Sequence, residues 1–168
     1  EKGTNRHDYL HGKVNKYSWV SLGSSFLISE IQAAFLLSQL RAVNPINKRR
    51  YELWEQYRTN LDQSNFWQVS RNNPGHNSHI FFVLLKDSAL RDQFIDELAQ
   101  LKIQVTTHYE PLHTSPFGKK TGEFCGTDRF TSVSAASIVR LPLHHELTQD
   151  DATRVINAIW GLRCINKR

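Results

Sequence analysis

The eight histidines are the first side chains in this sequence that could carry chemistry. His108 and His113 stand five apart, and His144 and His145 are adjacent. A helical metal site needs imidazoles three or four residues apart with a carboxylate or thiolate beside them, because only that spacing puts the donors on one face. Neither pair has that frame, so no metal is expected. No Gly-x-Ser-x-Gly elbow is present to expose a serine nucleophile, and Cys125 has no basic neighbour beyond Arg129 to draw out a thiolate. No Gly-x-Gly-x-x-Gly or Walker loop is present to cradle a phosphate. Two cysteines, Cys125 and Cys164, are too few for a disulfide scaffold and read as plain buried thiols in a reducing cytosol.

The elements that must position any site begin at Ser29. Ser29 and Gln32 form a capping box ahead of AAFLLSQL, and Ala33 to Leu37 are apolar nearly all round. That pattern predicts a helix buried on more than one side, suited to a subunit or domain interface. Asn44 and Pro45 predict a break or kink, and Ile46, Arg50, Leu53, Tyr57 and Leu61 predict a second amphipathic stretch to about Asp62. The turn-forming run Asn72, Asn73, Pro74, Gly75 is read as a boundary between structural units. Beyond it the pattern predicts a strand at His79 to Leu85, a helix from Ser88 and a strand at Ile103 to Thr107. A loop rich in proline and glycine precedes a short helix at Thr131 to Ser137 and a strand at Ile138 to Leu141. A last helix follows Thr148, with Ala152, Val155, Ile156 and Ile159 on its buried stripe. The fold class is α+β: a small antiparallel sheet with flanking helices, preceded by a helical interdomain segment.

The 168 residues are 39% apolar and 11% aromatic, which excludes intrinsic disorder. The net charge of +5 would attract anions. Its basic runs, Lys48 to Arg50 and Lys119 with Lys120, are too short to read as a nucleic-acid surface. The longest apolar run, His79 to Leu85, cannot cross a bilayer, and no charged-then-apolar leader is visible, so a cytoplasmic protein without membrane contact is expected. Residues 1–28 are polar and turn-rich, with Tyr9, Tyr17 and Trp19 in no regular period, and read as the tail of a larger domain. The expected division is therefore 1–28, the helices of 29–70, and a small α+β unit over 71–168.

Four ordered strings are more specific. EKGTNR at Glu1 to Arg6, KYSWVSLGSSFLISEIQAAFLLSQL at Lys16 to Leu40, THYEPLH at Thr107 to His113 and RLPLHHELT at Arg140 to Thr148 together resemble the DegT/DnrJ/EryC/StrS family of sugar-nucleotide aminotransferases. The likeness is greatest to those members that make dTDP-4-amino-4,6-dideoxygalactose for enterobacterial common antigen. It implies the C-terminal small domain of a homodimeric, fold type I enzyme using pyridoxal 5'-phosphate (PLP). The parent would move an amino group, from glutamate, to C4 of a dTDP-4-keto-6-deoxyhexose. In the family the Schiff-base lysine precedes the position matching Glu1, and none of the nine lysines here stands in that motif. The chain alone is therefore expected to be inactive and to bind no PLP.

The resemblance also implies roles for particular residues. The family's Gly-x-Asn-x-Arg segment reaches the cofactor phosphate of the partner subunit. Here it reads GSSFL, with Ser25 for the asparagine and Leu27 for the arginine. Ser25 is the candidate cofactor contact, with ordinary turn chemistry as the plain alternative. Asn5 and Arg6 match the border of the substrate cavity, where a guanidinium fork suits a diphosphate; a solvated surface charge is the other reading. His108, Tyr109 and His113 match the loop over the sugar, where imidazole and phenol can bond hydroxyls, or a histidine can simply pack on Pro111. Two further readings stay open: a non-catalytic dimerisation or partner module, and a basic nucleotide- or nucleic-acid-binding domain.

Overall fold

The computed structural model describes every residue except Glu1, Lys2, Tyr17, Gln63, Phe66, Pro74, Lys167 and Arg168. The expectations that touch Glu1, Tyr17 and Pro74 lie outside the described residues. The chain divides into two units, Glu1–Val43 and Asn44–Arg168.

In the first unit the chain crosses itself once, and then forms a helix. Thr4 pairs with Trp19 in an isolated antiparallel bridge. Around it the Gly3 carbonyl accepts the N–H groups of Val20 (2.8 Å) and Ser21 (3.0 Å), and Asn5 N–H donates to the Ser18 carbonyl (3.1 Å). Gly3 is buried at φ +69°, and a Cβ there would overlap the Ser21 carbonyl oxygen, so glycine is required twice over. A five-residue helix, α1, spans Arg6–Leu10. The next helix, α2, spans Glu30–Arg41 and starts on the expected capping box: Ser29 Oγ accepts Gln32 N–H, and Gln32 Oε1 accepts Ser29 N–H. The burial expected for α2 is not found. None of its residues is buried, and Ile31 and Phe35 are 84% and 69% exposed. The short α1 and the two-residue bridge give the first unit no layer with which to cover it.

The second unit is built on α3, Val43–Leu61. The expected break falls at Ala42, the C-cap of α2, and Pro45 sits in the first turn of α3, where its missing N–H costs nothing. The expected 29–70 pair is parted by this division: α3 goes with the small α+β unit because Leu53, Trp54, Tyr57 and Leu61 are buried in that unit's core. The sheet is antiparallel throughout, in the order β1 (Trp67–Val69), β2 (Phe81–Leu85), β4 (Ile138–Leu141), β3 (Thr106–Thr107). Helices α4 (Ser88–Gln100), α5 (Pro116–Thr121), α6 (Thr131–Ser137), α7 (Gln149–Trp160) and α8 (Arg163–Asn166) complete it. The strand expected at Ile103 to Thr107 shortens to β3, while Ile103 is buried in the core without pairing as a strand residue. The strand β1 and helices α1, α5 and α8 carried no clear periodic pattern.

Strand alternation decides what the core contains. Phe81, Val83 and Leu85 of β2 and Val139 and Leu141 of β4 point to one face and are buried. Trp54 and Tyr57 close on Phe81 at ring-centroid distances of 5.5 and 5.3 Å. Each also bonds the sheet or its exit, Trp54 Nε1 donating to the Ile80 carbonyl (3.2 Å) and Tyr57 OH to the Pro142 carbonyl (3.0 Å). Burial pushes the Tyr57 phenol far above its ordinary pKa, so it stays a neutral donor. The Glu97 carboxylate accepts the first N–H groups of α8, Arg163 (2.6 Å) and Cys164 (3.1 Å), and so ties α4 to α8. The stripe Ala152, Val155, Ile156 and Ile159 of α7 is buried as expected. Cys164 is buried, but Cys125 is exposed, contrary to the reading of both as interior thiols; its loop position gives it no core to enter.

Phe81→Ala should cost about 3–5 kcal/mol of unfolding free energy in urea, because ring contacts from both α3 aromatics are lost and a cavity remains. Phe35→Ser on exposed α2 should change the same transition by less than about 0.5 kcal/mol. Equal effects at the two positions would contradict this placement of the core.

Candidate functional site

The candidate residues fall into separate places, Asn5, Arg6 and Ser25 in the first unit and His108, Tyr109 and His113 in the second. In the first unit, Asn5 and Arg6 line a cavity of about 910 Å³ together with Asp8, Ser24, Phe26 and Leu27. Asn5 is partly committed to the fold, since its Oδ1 accepts Ser18 N–H at 2.6 Å and so fixes the loop between them. Arg6 is exposed at the start of α1. Ser25 is exposed in the extended stretch before the Ser29 cap, next to the cavity residues Ser24 and Phe26, but does not itself line the cavity.

A PLP site needs an amine for the aldehyde and a carboxylate for the ring nitrogen, besides a phosphate cradle. Among the described residues no lysine lines the first-unit cavity. Its carboxylate, Asp8, is engaged with Lys13 at 3.4 Å. Serine hydroxyls offer at most a phosphate contact, so this cavity does not fit the cofactor as a whole. Among the described residues no group of three or more His, Cys, Asp or Glu could hold a metal. No helix among them is long and apolar enough to cross a membrane.

In the second unit, His108 and Tyr109 leave the end of β3, their rings 5.8 Å apart at a steep angle. Tyr109 is 82% exposed. Thr106 and Thr107 pair with Arg140 and Val139, so the sheet carries His108 to its outer edge. His113 is differently placed. Its Nε2 meets Asp128 Oδ2 at 2.8 Å, and its ring lies 4.3 Å from Phe124. Asp128 also accepts the hydroxyl of Ser132 (2.5 Å) and the N–H groups of Thr131 (2.9 Å) and Ser132 (3.3 Å) at the start of α6. These bonds tie the loop after β3 to α6. Because the Ser132 hydroxyl donates to the carboxylate, it is held as a structural donor and not as an activated nucleophile.

The Ser132 hydroxyl, and after it the His113 ring and the Ser132 N–H, hold the Asp128 carboxyl down to about 2. A depressed acid contributes its stability above the unfolded value, about 3.9, and loses it as the pH falls toward the folded value. Sequence reading missed Asp128; the signal was an Asx residue three positions before Thr131, a spacing that supplies an acceptor to a helix start. It also missed Arg71, His76 and His79, which lie with His108 around a cleft in the second unit. Their spacing fits no standard motif, and only the sheet brings them together.

The family model described as the DegT/DnrJ/EryC1/StrS aminotransferase family matches residues 3–160, and the chain belongs to that family. An uncharacterised protein of Methanocaldococcus jannaschii is 26% identical over a match covering 85% of this chain and 39% of the relative. DesV of S. venezuelae, solved in complex with a ketimine intermediate, is 27% identical with a TM-score of 0.78, over 92% of this chain and 42% of DesV. A family aminotransferase from Brucella abortus shares the fold at 23% identity and a TM-score of 0.79, over 96% of this chain and 43% of that one. The chain thus spans about two fifths of the length of these relatives.

Two measurements check the brace. The Ser132 amide resonance should titrate with a midpoint near 2, where an unpaired carboxylate would give about 3.9. At neutral pH, Asp128→Asn should speed tryptic cleavage at Lys119 and Lys120 by about tenfold, as local opening becomes easier; an unchanged rate would mean the brace does not hold the loop.

Proposed function

We propose that this chain, a member of the DegT/DnrJ/EryC1/StrS family, is the substrate-side, C-terminal part of a fold type I sugar aminotransferase. The family is PLP-dependent. The complete enzyme would act as a homodimer, transferring an amino group from glutamate to C4 of a dTDP-4-keto-6-deoxyhexose, as dTDP-4-amino-4,6-dideoxygalactose transaminases do. The observation that carries the reading is the family match across nearly the whole chain, supported by the overlay on DesV at a TM-score of 0.78.

On this reading each residue has a limited task. Arg6 supplies a permanent, forked charge for diphosphate oxygens at the mouth of the first-unit cavity. Asn5 keeps the adjoining loop in register through its bond to Ser18 and leaves its amide N–H groups for substrate. Ser25 would offer its hydroxyl to the cofactor phosphate of the partner subunit. His108 and Tyr109 present an imidazole and a phenol to sugar hydroxyls. His113 works at one remove, since its bond to Asp128 holds the loop that carries both. Among the described residues, none in this cavity supplies the amine that PLP chemistry requires. These 168 residues alone are therefore assigned no transfer activity and no stable PLP complex.

The full-length protein, given glutamate and a dTDP-4-keto-6-deoxyhexose, should form the 4-amino sugar nucleotide. Arg6→Ala should raise KM for the sugar nucleotide about tenfold or more, about 1.4 kcal/mol, with a smaller effect on kcat. The isolated 168 residues should form no product and give no visible absorbance band when mixed with PLP. A band and turnover from that fragment would overturn the assignment.

A further inference from the structure

Two imidazoles of the first unit are left without a task by the amino-transfer reading. His7 and His11 are the only pair among the eight histidines that stand four residues apart, and Asp8 lies between them. On a helix that spacing puts both rings on one face, which is the frame of helical zinc sites. The expectation that no metal binds rested on other pairs. The remaining six histidines lie outside helices, so their spacing carries no such meaning. For His7 and His11 the frame is realised: His7 belongs to α1, His11 is its C-cap, and His11 N–H donates to the His7 carbonyl at 3.2 Å across one turn. The two rings lie 4.2 Å apart between centroids, with 33° between their planes.

Hydrogen bonding decides which nitrogen each ring can offer. His11 Nδ1 lies 2.8 Å from the His7 carbonyl oxygen, which can only accept, so Nδ1 carries the proton and the neutral ring keeps its lone pair on Nε2. A backbone carbonyl on the far nitrogen is a common way of orienting a metal-binding imidazole. On His7 it is Nδ1 that faces Asp8 Oδ1, at 3.8 Å, which leaves Nε2 for a ligand. Among the described residues neither Nε2 takes part in a hydrogen bond. The His7 side chain is 78% exposed and His11 is exposed, so each ring can turn to bring Nε2 onto a shared ion. The nearest charges offset each other, since Lys13 Nζ lies 3.4 Å from the same Asp8 oxygen. A cation drawn by charge alone gains little here, whereas one that takes imidazole lone pairs gains two bonds.

We propose that His7 Nε2 and His11 Nε2 bind one divalent transition-metal ion, of the zinc, nickel or copper class, across the face of α1. Water completes the shell, because among the described residues no third His, Cys, Asp or Glu is placed to join them. Once bound, the ion staples a helix of five residues, a length that is marginal without outside support. Arg6 opens that helix, and His7 and Asp8 line the first-unit cavity, so the staple fixes one wall of the cavity. The proposal goes beyond the amino-transfer reading, because binding needs no PLP, no substrate and no turnover.

Titration calorimetry of the 168-residue chain with ZnCl2 and with MgCl2 tests it, together with amide hydrogen exchange. Zinc should bind saturably at one site per chain, and magnesium, which prefers oxygen donors, should give no saturable heat. His7→Gln and His11→Gln, both at exposed positions, should each weaken zinc by about tenfold or more. Cys125→Ser and His145→Gln, at exposed positions in the second unit, should leave zinc binding unchanged. The amides of His11, Gly12 and Lys13 close the turn on the carbonyls of His7, Tyr9 and Asp8. With zinc at about ten times its Kd, these amides should exchange about tenfold more slowly, and His7→Gln should abolish that protection. No saturable zinc binding, magnesium bound as tightly as zinc, or both helix variants binding as the parent does would each overturn the proposal. So would loss of the site in Cys125→Ser or His145→Gln, or saturable binding that leaves the three amides exchanging as before. The amino-transfer reading would survive any of these, since it fails only in the full-length assay.

Discussion

The second unit depends on one contact, the closure of Trp54 and Tyr57 of α3 on Phe81 of β2. Three large rings are removed from water together, and each α3 ring also satisfies its polar atom on a backbone carbonyl next to the sheet. Burial of this size is the dominant favourable term in folding, and the two hydrogen bonds make it directional. The contact fixes which face of β2 looks inward. A one-residue slip in β2 would put Phe82 and Leu84 in the core and take them from the second-unit cleft that they line. Core and cleft are therefore two consequences of the same register.

Polar bonds do the finer positioning. The long segment between β3 and α6 has little apolar anchorage of its own, with Leu112, Phe117 and Phe130 largely exposed. It is held by His113, Asp128 and Ser132, a cluster whose carboxylate accepts several donors at once. The turn before β2 uses the same device, running from Ser78 through His76 and Asn72 to Glu55. In both places a histidine serves as a bridge between loop and scaffold. The residues beyond the bridges stay exposed: His108 and Tyr109 in one case, Arg71 and His79 in the other.

The first unit follows a different logic. Its loop is closed by backbone bonds around Gly3 and by the Asn5 carboxamide, so it is shaped with almost no buried side chains. Its helix α2 is well capped yet leaves Ile31, Phe35 and Leu40 more than half exposed. Capping and propensity make α2 a helix without any help from packing, whereas the role of its apolar residues requires a surface that the unit itself does not provide.

The sequence by itself determined the elements whose cause is local. The Ser29 box, the Thr148 cap, the α7 stripe and the existence of a strand at β2 were all legible because caps and periodicity act within a few residues, whereas the boundary read at Asn72 to Gly75 falls inside the second unit. The four family strings were legible too, and they led to the family. The tertiary structure alone decided that α3 belongs with the sheet, that α2 stays uncovered within its unit, that Cys125 is exposed, and that His113 is braced by Asp128. It alone gathered Arg71, His79 and His108, whose positions are separated by up to 37 residues, around one cleft. Pairings of that kind follow from strand order and register, which join residues with no local periodicity to announce them.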